Sequence, residues 1–189
     1  MYVDNHANEA NIFKSQSQSR LKDLGQLISS EMDHASSTCN PRQLAEAALR
    51  SFLPLLSDHD LPSFSVEQAA YARRLVYTDP RGRFSILVLR WTQGAKTPIH
   101  GHNAWGSVGV YSGNMGCQCF DRIADGENIE SLKMTLDIKI GRGDITSVNP
   151  DPEGIHSLYV EENNTAATIH IYGMDLRDDP QCINVMYED

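Results

Sequence analysis

The segment Thr97-Pro98-Ile99-His100-Gly101-His102 sets two imidazoles two residues apart in an apolar, β-rich stretch. Residues i and i+2 of a strand share a face, so His100 and His102 aim at one point. A third histidine, in Glu153-Gly154-Ile155-His156, can complete a facial set from a distant strand. Three neutral nitrogens suit a first-row metal such as Fe(II), Zn or Cu. They leave coordination positions open, which a catalytic metal needs. An HxH pair in a strand also arises by accident, so the surroundings decide.

A second constellation follows in Thr168-Ile169-His170-Ile171-Tyr172. The three polar side chains alternate onto one strand face. They can form a hydroxyl–imidazole–phenol hydrogen-bond chain that fixes the histidine tautomer and orients the tyrosine toward the metal. The plainer alternative is a satisfied core histidine beside a core aromatic.

The elements that must position these residues divide the chain in two. Residues 1–18 are polar, with no signal-peptide core, and read as a flexible N-terminus. Leu21, Leu24, Leu27 and Ile28 recur at helical spacing over 19–34. Asn40-Pro41 is an N-cap followed by proline at the first helical position, and Leu44, Ala47, Ala48 and Phe52 mark a second helix limited by Pro54. A short helical piece is predicted to begin at Ser65-Val66-Glu67. From Tyr71 the pattern becomes β. Strand runs cover 73–77, 84–91, 108–111, 116–121, 132–138, 144–148, 157–161 and 165–172, with a hairpin turn at Asp125-Gly126. The fold class is mainly β: N-terminal α-helices over 19–70, then a jelly-roll barrel over 71–189, in one domain.

Composition narrows the function. The 189 residues carry a net charge of −9, with a pI near 5.2, which argues against nucleic acid and anionic membrane as partners. No apolar run is long enough to span a membrane. The four cysteines form no CxxC pair and read as reduced thiols in a cytoplasmic protein. Cys117 and Cys119 share a strand face, where a small apolar filler is the ordinary role. His6, His34 and His59 lie outside both constellations and are expected at the surface. Trp91 reads as core, and Arg81 and Arg83 as surface charges beside a turn.

Gly94, five residues, His100-x-His102 and then Gly113 resembles the first motif of the cupins. The glutamate that many cupins carry after the second histidine is missing, its place falling at Gly106 or Ser107. Three histidines without a carboxylate is the pattern of the thiol dioxygenases, the cysteine and mercaptopropionate dioxygenases. The likeness covers roughly residues 20–180. His156 resembles that family's third ligand, and Thr168, His170 and Tyr172 its Ser-x-His-x-Tyr relay, with Thr168 keeping the hydroxyl. Tyr71-Ala72-Arg73 is similar to the family's Tyr-x-Arg, whose arginine holds the substrate carboxylate. Trp105 fits the HxHxxWG of the bacterial branch.

The resemblance implies a non-haem Fe(II) enzyme that takes a small carboxylate-bearing thiol and O2 to a sulfinic acid, as a monomer or small homo-oligomer. Fe(II) would be held by His100, His102 and His156, with Tyr172, His170 and Thr168 as the catalytic relay. Substrate would be bound by Arg73, Tyr71 and Trp105, with Arg177 a second candidate for the carboxylate and Arg74 a rival to Arg73. Trp105 either packs above the metal pocket or fills the barrel mouth. Arg73 leans toward cysteine, the Trp105-Gly106 neighbourhood toward mercaptopropionate, and mercaptosuccinate stays open. Three departures stand out. No cysteine lies near 106–107, so the family's cysteine–tyrosine crosslink is not expected. The second motif has one residue fewer between Gly154 and His156. Gly101 stands where an aspartate is more common, which should remove a negative charge from between the ligands. Competing readings are another metal-dependent cupin enzyme (a non-sulfur dioxygenase or an isomerase) or a non-catalytic ligand-binding cupin.

Overall fold

A computed structural model describes residues 19–66, 69–125 and 128–187. The flexible N-terminus expected over 1–18, with His6, lies outside the described residues, as do Glu67 and Gly126. Among the described residues two helices come first: α1 (Ser19–His34) and α2 (Pro41–Phe52). Asn40 caps α2, its side-chain oxygen accepting from the Arg42 amide at 3.0 Å, with Pro41 in the first turn. Short 3-10 turns at Leu53–Leu55 and Asp58–Asp60 lead out. Ser63 to Val66 is irregular, without the helical start expected at Ser65, and Glu67 lies outside the described residues. Phe64 there lies under the guanidinium groups of Arg74 and Arg90, at 5.6 and 5.5 Å, and this tertiary contact overrides the local signal.

Ten strands follow. They are β1 (Tyr71–Thr78), β2 (Ser85–Trp91), β3 (His100–His102), β4 (Gly106–Ser112) and β5 (Asn114–Asp125), then β6 (Asn128–Gly141), β7 (Ile145–Val148), β8 (His156–Tyr159), β9 (Ala166–Tyr172) and β10 (Asn184–Met186). One sheet has the order β1-β2-β9-β4-β7 and the other β10-β3-β8-β5-β6. The pairing is symmetrical about the β5–β6 hairpin. β4 pairs with β7, β3 with β8 and β2 with β9, each antiparallel, and these pairs alternate between the sheets. A long hairpin coiled in this way is a double-stranded β-helix, the jelly roll expected from the strand pattern. The strands β3 and β10 are only three residues long, too short to carry periodicity, and β10 escapes a pattern search.

Two cores result. Leu21, Leu24, Ile28, Ala45, Ala48 and Leu49 of the helices pack on Ile86, Val88, Ala167, Ile169 and Ile171, the outward face of the first sheet. Leu87, Leu89, Trp91, Val110, Leu158 and Tyr172 fill the space between the sheets. Each fully buried aliphatic side chain contributes about 1.5–3 kcal/mol before conformational entropy is set against it. Because the helices cover the outward face, β2 and β9 are buried on both sides and read as near-continuous apolar runs. The polar residues at Thr168, His170 and Tyr172 interrupt that run and face inward.

Arg83 is not a surface charge. Asp79 is fully buried and accepts from the Arg83 side chain at 2.8 Å, and Arg83 also reaches Asp33 and the Ser29 carbonyl. The Arg83 guanidinium holds the Asp79 carboxyl below the usual carboxylate range. The pair ties α1 to the β1–β2 turn.

Candidate metal centre

β3 carries His100 and His102 on one face, and β8 opens with His156, paired in register with His100. The shortened spacing after Gly154 therefore does not displace the third histidine. The rings stand 4.7 to 5.0 Å apart, centroid to centroid, and nearly edge to face. One nitrogen from each lies within 4.8 Å of the others, a cluster that can hold a metal ion. All three are buried. Burial holds His102 down to about 3 and lowers His100 and His156 as well, so the rings stay neutral as ligands must be.

Second partners orient two of the rings. His100 Nδ1–H donates to the Pro98 carbonyl at 2.9 Å, which leaves its Nε2 lone pair free. His156 Nδ1 lies 3.9 Å from Cys117 Sγ, and burial pushes that thiol up to about 12, so the sulfur is a neutral neighbour. Cys117 is thus a core filler that also touches a ring of the cluster. Both nitrogens of His102 are buried without a hydrogen-bond partner. A buried imidazole with no partner is costly unless something binds it, and a metal ion fits that need.

The charge expected to be lost at Gly101 is supplied from elsewhere. A Cβ at Gly101 would lie 2.5 Å from Asp151 Oδ1, so this carboxylate fills the space a side chain there would take. Asp151 is held by Arg122 at 2.7 Å and by the Tyr187 hydroxyl, and its amide donates to the His102 carbonyl at 2.8 Å.

The relay residues form a continuous chain. Trp91 Nε1–H donates to Thr168 Oγ1 at 2.8 Å, Thr168 Oγ1 lies 2.8 Å from His170 Nε2, and His170 Nδ1 lies 2.9 Å from the Tyr172 hydroxyl. The direction follows from the donors. The Trp91 indole only donates, so Thr168 accepts there and keeps its own hydrogen to give to His170 Nε2, the arrangement in which Thr168 and His170 each accept one hydrogen bond and pass on another. His170 then carries its proton on Nδ1 and donates it to Tyr172. The Tyr172 O–H is left to point onward. Burial between Leu87 and Val108 holds His170 down to about 3, so it is neutral, and burial pushes the Tyr172 phenol up, so it keeps its proton. The Tyr172 ring lies 5.4 Å from the His102 ring. Trp91 is core, as expected, but its N–H sets the polarity of the chain, which the apolar run around it conceals.

A cavity of about 30 Å³ opens beside the histidines, lined in part by Tyr71, Arg73, Trp91, His100, His170 and Tyr172. At ~10–15 Å³ per water position this is space for a very small ligand. Strand alternation separates the two candidate arginines: Arg73 enters the cavity, and Arg74 turns out onto Phe64. The Arg73 guanidinium donates to the Pro180 carbonyl at 3.0 Å and the Tyr71 hydroxyl at 3.3 Å, and has no ion pair among the described residues. Its charge lowers His100 and His170 further, after burial. Among the described residues no acidic side chain lines the cavity.

Two expected residues lie elsewhere. Trp105 does not line the cavity; it packs against the helix-side core. Gly106 faces the Tyr172 ring, with its Cβ position 3.0 Å from it, so the preceding side chain turns the other way. Arg177 is exposed and captured by Asp175 two residues earlier, Nε to Oδ2 at 2.9 Å. The wall that sequence reasoning missed is β10, which brings Asn184 and Met186 to the cavity.

No family model matches the chain. Among solved structures it is similar to a cupin-like protein from Thermotoga maritima, at 16% identity over 56% of this chain and 69% of the other, TM-score 0.43. It is also similar to the polyketide cyclase RemF from Streptomyces resistomycificus, at 15% identity over 71% and 86%, TM-score 0.46. A conserved protein with a double-stranded β-helix domain from Klebsiella pneumoniae matches at 13% identity over 66% and 90%, TM-score 0.48. The fold itself rests on the strand pairing above. Among the described residues no helix is long and apolar enough to cross a membrane.

Proposed function

We propose that this protein is a non-haem Fe(II) thiol dioxygenase that converts a small carboxylate-bearing thiol to its sulfinic acid. One observation carries the reading: Arg73, which has no ion pair among the described residues, lines the same small cavity as His100, one of three clustered neutral histidines. Three neutral donors leave the full charge of a divalent ion, which favours an anionic ligand. Arg73 favours a second negative charge on the same molecule. A small thiol carboxylate meets both demands.

Fe(II) held by His100, His102 and His156 would supply the acidity that makes the thiol a thiolate and the means of activating dioxygen. The overall change is R–S⁻ + O2 → R–SO2⁻, with both oxygen atoms going to sulfur. Arg73 clamps the carboxylate, and Tyr71 and Pro180 hold its guanidinium in place. Tyr172 presents a protonated phenol to the cavity, its orientation set through His170 and Thr168. Leu87, Leu89, Trp91 and Leu158 keep bulk water out.

The test is oxygen uptake by Fe(II)-loaded protein with cysteine, 3-mercaptopropionate and mercaptosuccinate, with sulfinate read by mass. One sulfinate per O2 with one of them is the expected result and names the substrate. Stoichiometric iron with no uptake from any of the three would overturn the reading in favour of a different metal-dependent reaction.

A further inference from the structure

The ligand strand β3 meets β8 at a single residue pair, His100 with His156. The chain just before β3 runs against the same segment. The Val160 amide donates to the Ala95 carbonyl at 2.7 Å, Lys96 bridges to Tyr159, and the Thr97 amide donates to the Leu158 carbonyl at 2.9 Å. Carried forward, that register would set Ile99 opposite His156. His100 stands there instead, so an extra residue is inserted at Pro98-Ile99, a β-bulge beside the ligands.

Strand alternation shows what the bulge does. Without it Thr97 and His100, three residues apart, would point to opposite faces. With it both line the cavity, and the His100 ring meets the His156 ring at 4.7 Å. Removing the inserted residue would turn His100 away from the other two histidines.

The bulge begins at Thr97. In a regular antiparallel ladder, two facing hydrogen-bonded residues exchange both of their backbone bonds. Thr97 and Leu158 exchange only one. The Leu158 amide donates to Thr97 Oγ1 at 2.9 Å rather than to the Thr97 carbonyl. That carbonyl turns aside and accepts from Ser157 Oγ at 2.8 Å. Thr97, Ser157 and Leu158 are all buried, so losing either bond leaves a buried polar group without a partner. Pro98 follows, and it has no N–H for the departing chain to leave unpaired. Its carbonyl in turn accepts from His100 Nδ1.

We propose that Thr97 is a positioning residue of the metal centre: its hydroxyl replaces its own carbonyl in the ladder, and the bulge this permits sets His100 against His156. A side chain without a β-hydroxyl cannot make that exchange. The proposal rests on the metal-binding half of the function proposed above and not on its thiol chemistry.

Metal uptake by the full chain tests this, with Co(II) as the probe and no turnover measured. Affinity is read by titration, and geometry by the visible absorption bands of the bound ion. Thr97→Val keeps the shape of the side chain and removes the hydroxyl. It is expected to bind Co(II) about 10–100-fold more weakly than wild type, with shifted bands. Thr97→Ser is expected to recover most of the affinity. Ser157→Ala, a milder change that reads the same exchange if the valine variant does not fold, is expected to weaken binding several-fold. Val160→Ala thins the packing of the same two segments and leaves the Thr97 bonds in place, so it should lower the melting temperature with wild-type affinity. Wild-type affinity in Thr97→Val would overturn the role of Thr97 alone, as would a serine variant no better than the valine one. A wild-type chain that takes up no Co(II) would overturn the metal centre as well.

Discussion

The Asp151 carboxylate occupies the space beside Gly101 that a side chain between the two β3 histidines would fill. The charge that an aspartate at position 101 would carry therefore comes from the β7–β8 loop, already balanced by Arg122. Its field raises His102 slightly, against the larger lowering by burial and by His100. The same residue joins the β3 backbone, through its amide to the His102 carbonyl, to Tyr187 beyond β10, through its carboxylate, so ligand strand and C-terminal strand share one tether.

Gly101→Ala is expected to destabilise the protein by about 1–3 kcal/mol, the usual cost of overpacking. The clashing atom belongs to a short side chain held at both oxygens, so it cannot swing away freely. Urea denaturation of the metal-free protein measures this, and iron stoichiometry should fall in parallel. Gly101→Asp should cost more, because it sets a second carboxylate against the first. Wild-type stability in both variants would mean that Asp151 is free to move.

What the sequence allowed to be read, and what it hid, divides along physical lines. The helices announce themselves because α1 and α2 each bury one stripe: Leu24 and Ile28, Ala45 and Leu49. That His100 and His102 share a face is legible because a strand's period of two fixes it, whereas His156, on a distant strand, is singled out by the resemblance and meets them through strand pairing. Arg73 and Arg74 are adjacent, and only the direction of β1 separates them. Trp91 sits in a run buried on both faces, where alternation is erased and a functional N–H looks like any core aromatic. Asn184 and Met186 sit on a three-residue strand with no pattern, and Asp151 meets Gly101 through a loop that no local rule predicts.

Arg73→Gln should raise KM for a carboxylate-bearing thiol by roughly 100-fold, equivalent to about 2.8 kcal/mol at 1.4 kcal/mol per tenfold. Turnover of a thiol lacking a carboxylate, such as cysteamine, should change little. Arg74→Gln is the control, since its guanidinium rests on Phe64 outside the cavity. Steady-state kinetics on the three proteins decide it; an equal loss for both thiols would show that Arg73 shapes the site rather than binding the carboxylate.

Thr168→Val removes the hydroxyl that links Trp91 to His170. It leaves an indole N–H and an imidazole nitrogen unpaired in the core, at about 1–3 kcal/mol for each stranded group. Without Thr168 as donor to Nε2, His170 loses the constraint on its tautomer, and Tyr172 loses its fixed orientation. Loss of such an orienting partner is expected to lower kcat about 10–100-fold while iron binding persists. Thr168→Ser, which keeps the hydroxyl, should recover most of the activity. If serine were no better than valine, the methyl group and its packing would be what matters at this position.

Asp79→Asn tests the polar tie between α1 and the barrel. The Asp79 carboxyl is held below its unfolded value of about 3.9 by hydrogen bonds from Arg83 and Ser29, which outweigh the opposing effect of burial. The native state therefore binds fewer protons than the unfolded chain as the solution becomes acid. The stabilisation is fully present above pH ~4 and is lost as pH falls below it. In the variant, Arg83 keeps Asp33 but loses its buried partner, and the cost should be about 3–5 kcal/mol at neutral pH. The acid limb of the stability curve should flatten at the same time, because the group that titrates there is gone. Thermal melts of both proteins between neutral pH and pH 3 measure the two effects together. A variant with wild-type stability but an unchanged acid limb would assign the acid sensitivity to another carboxylate.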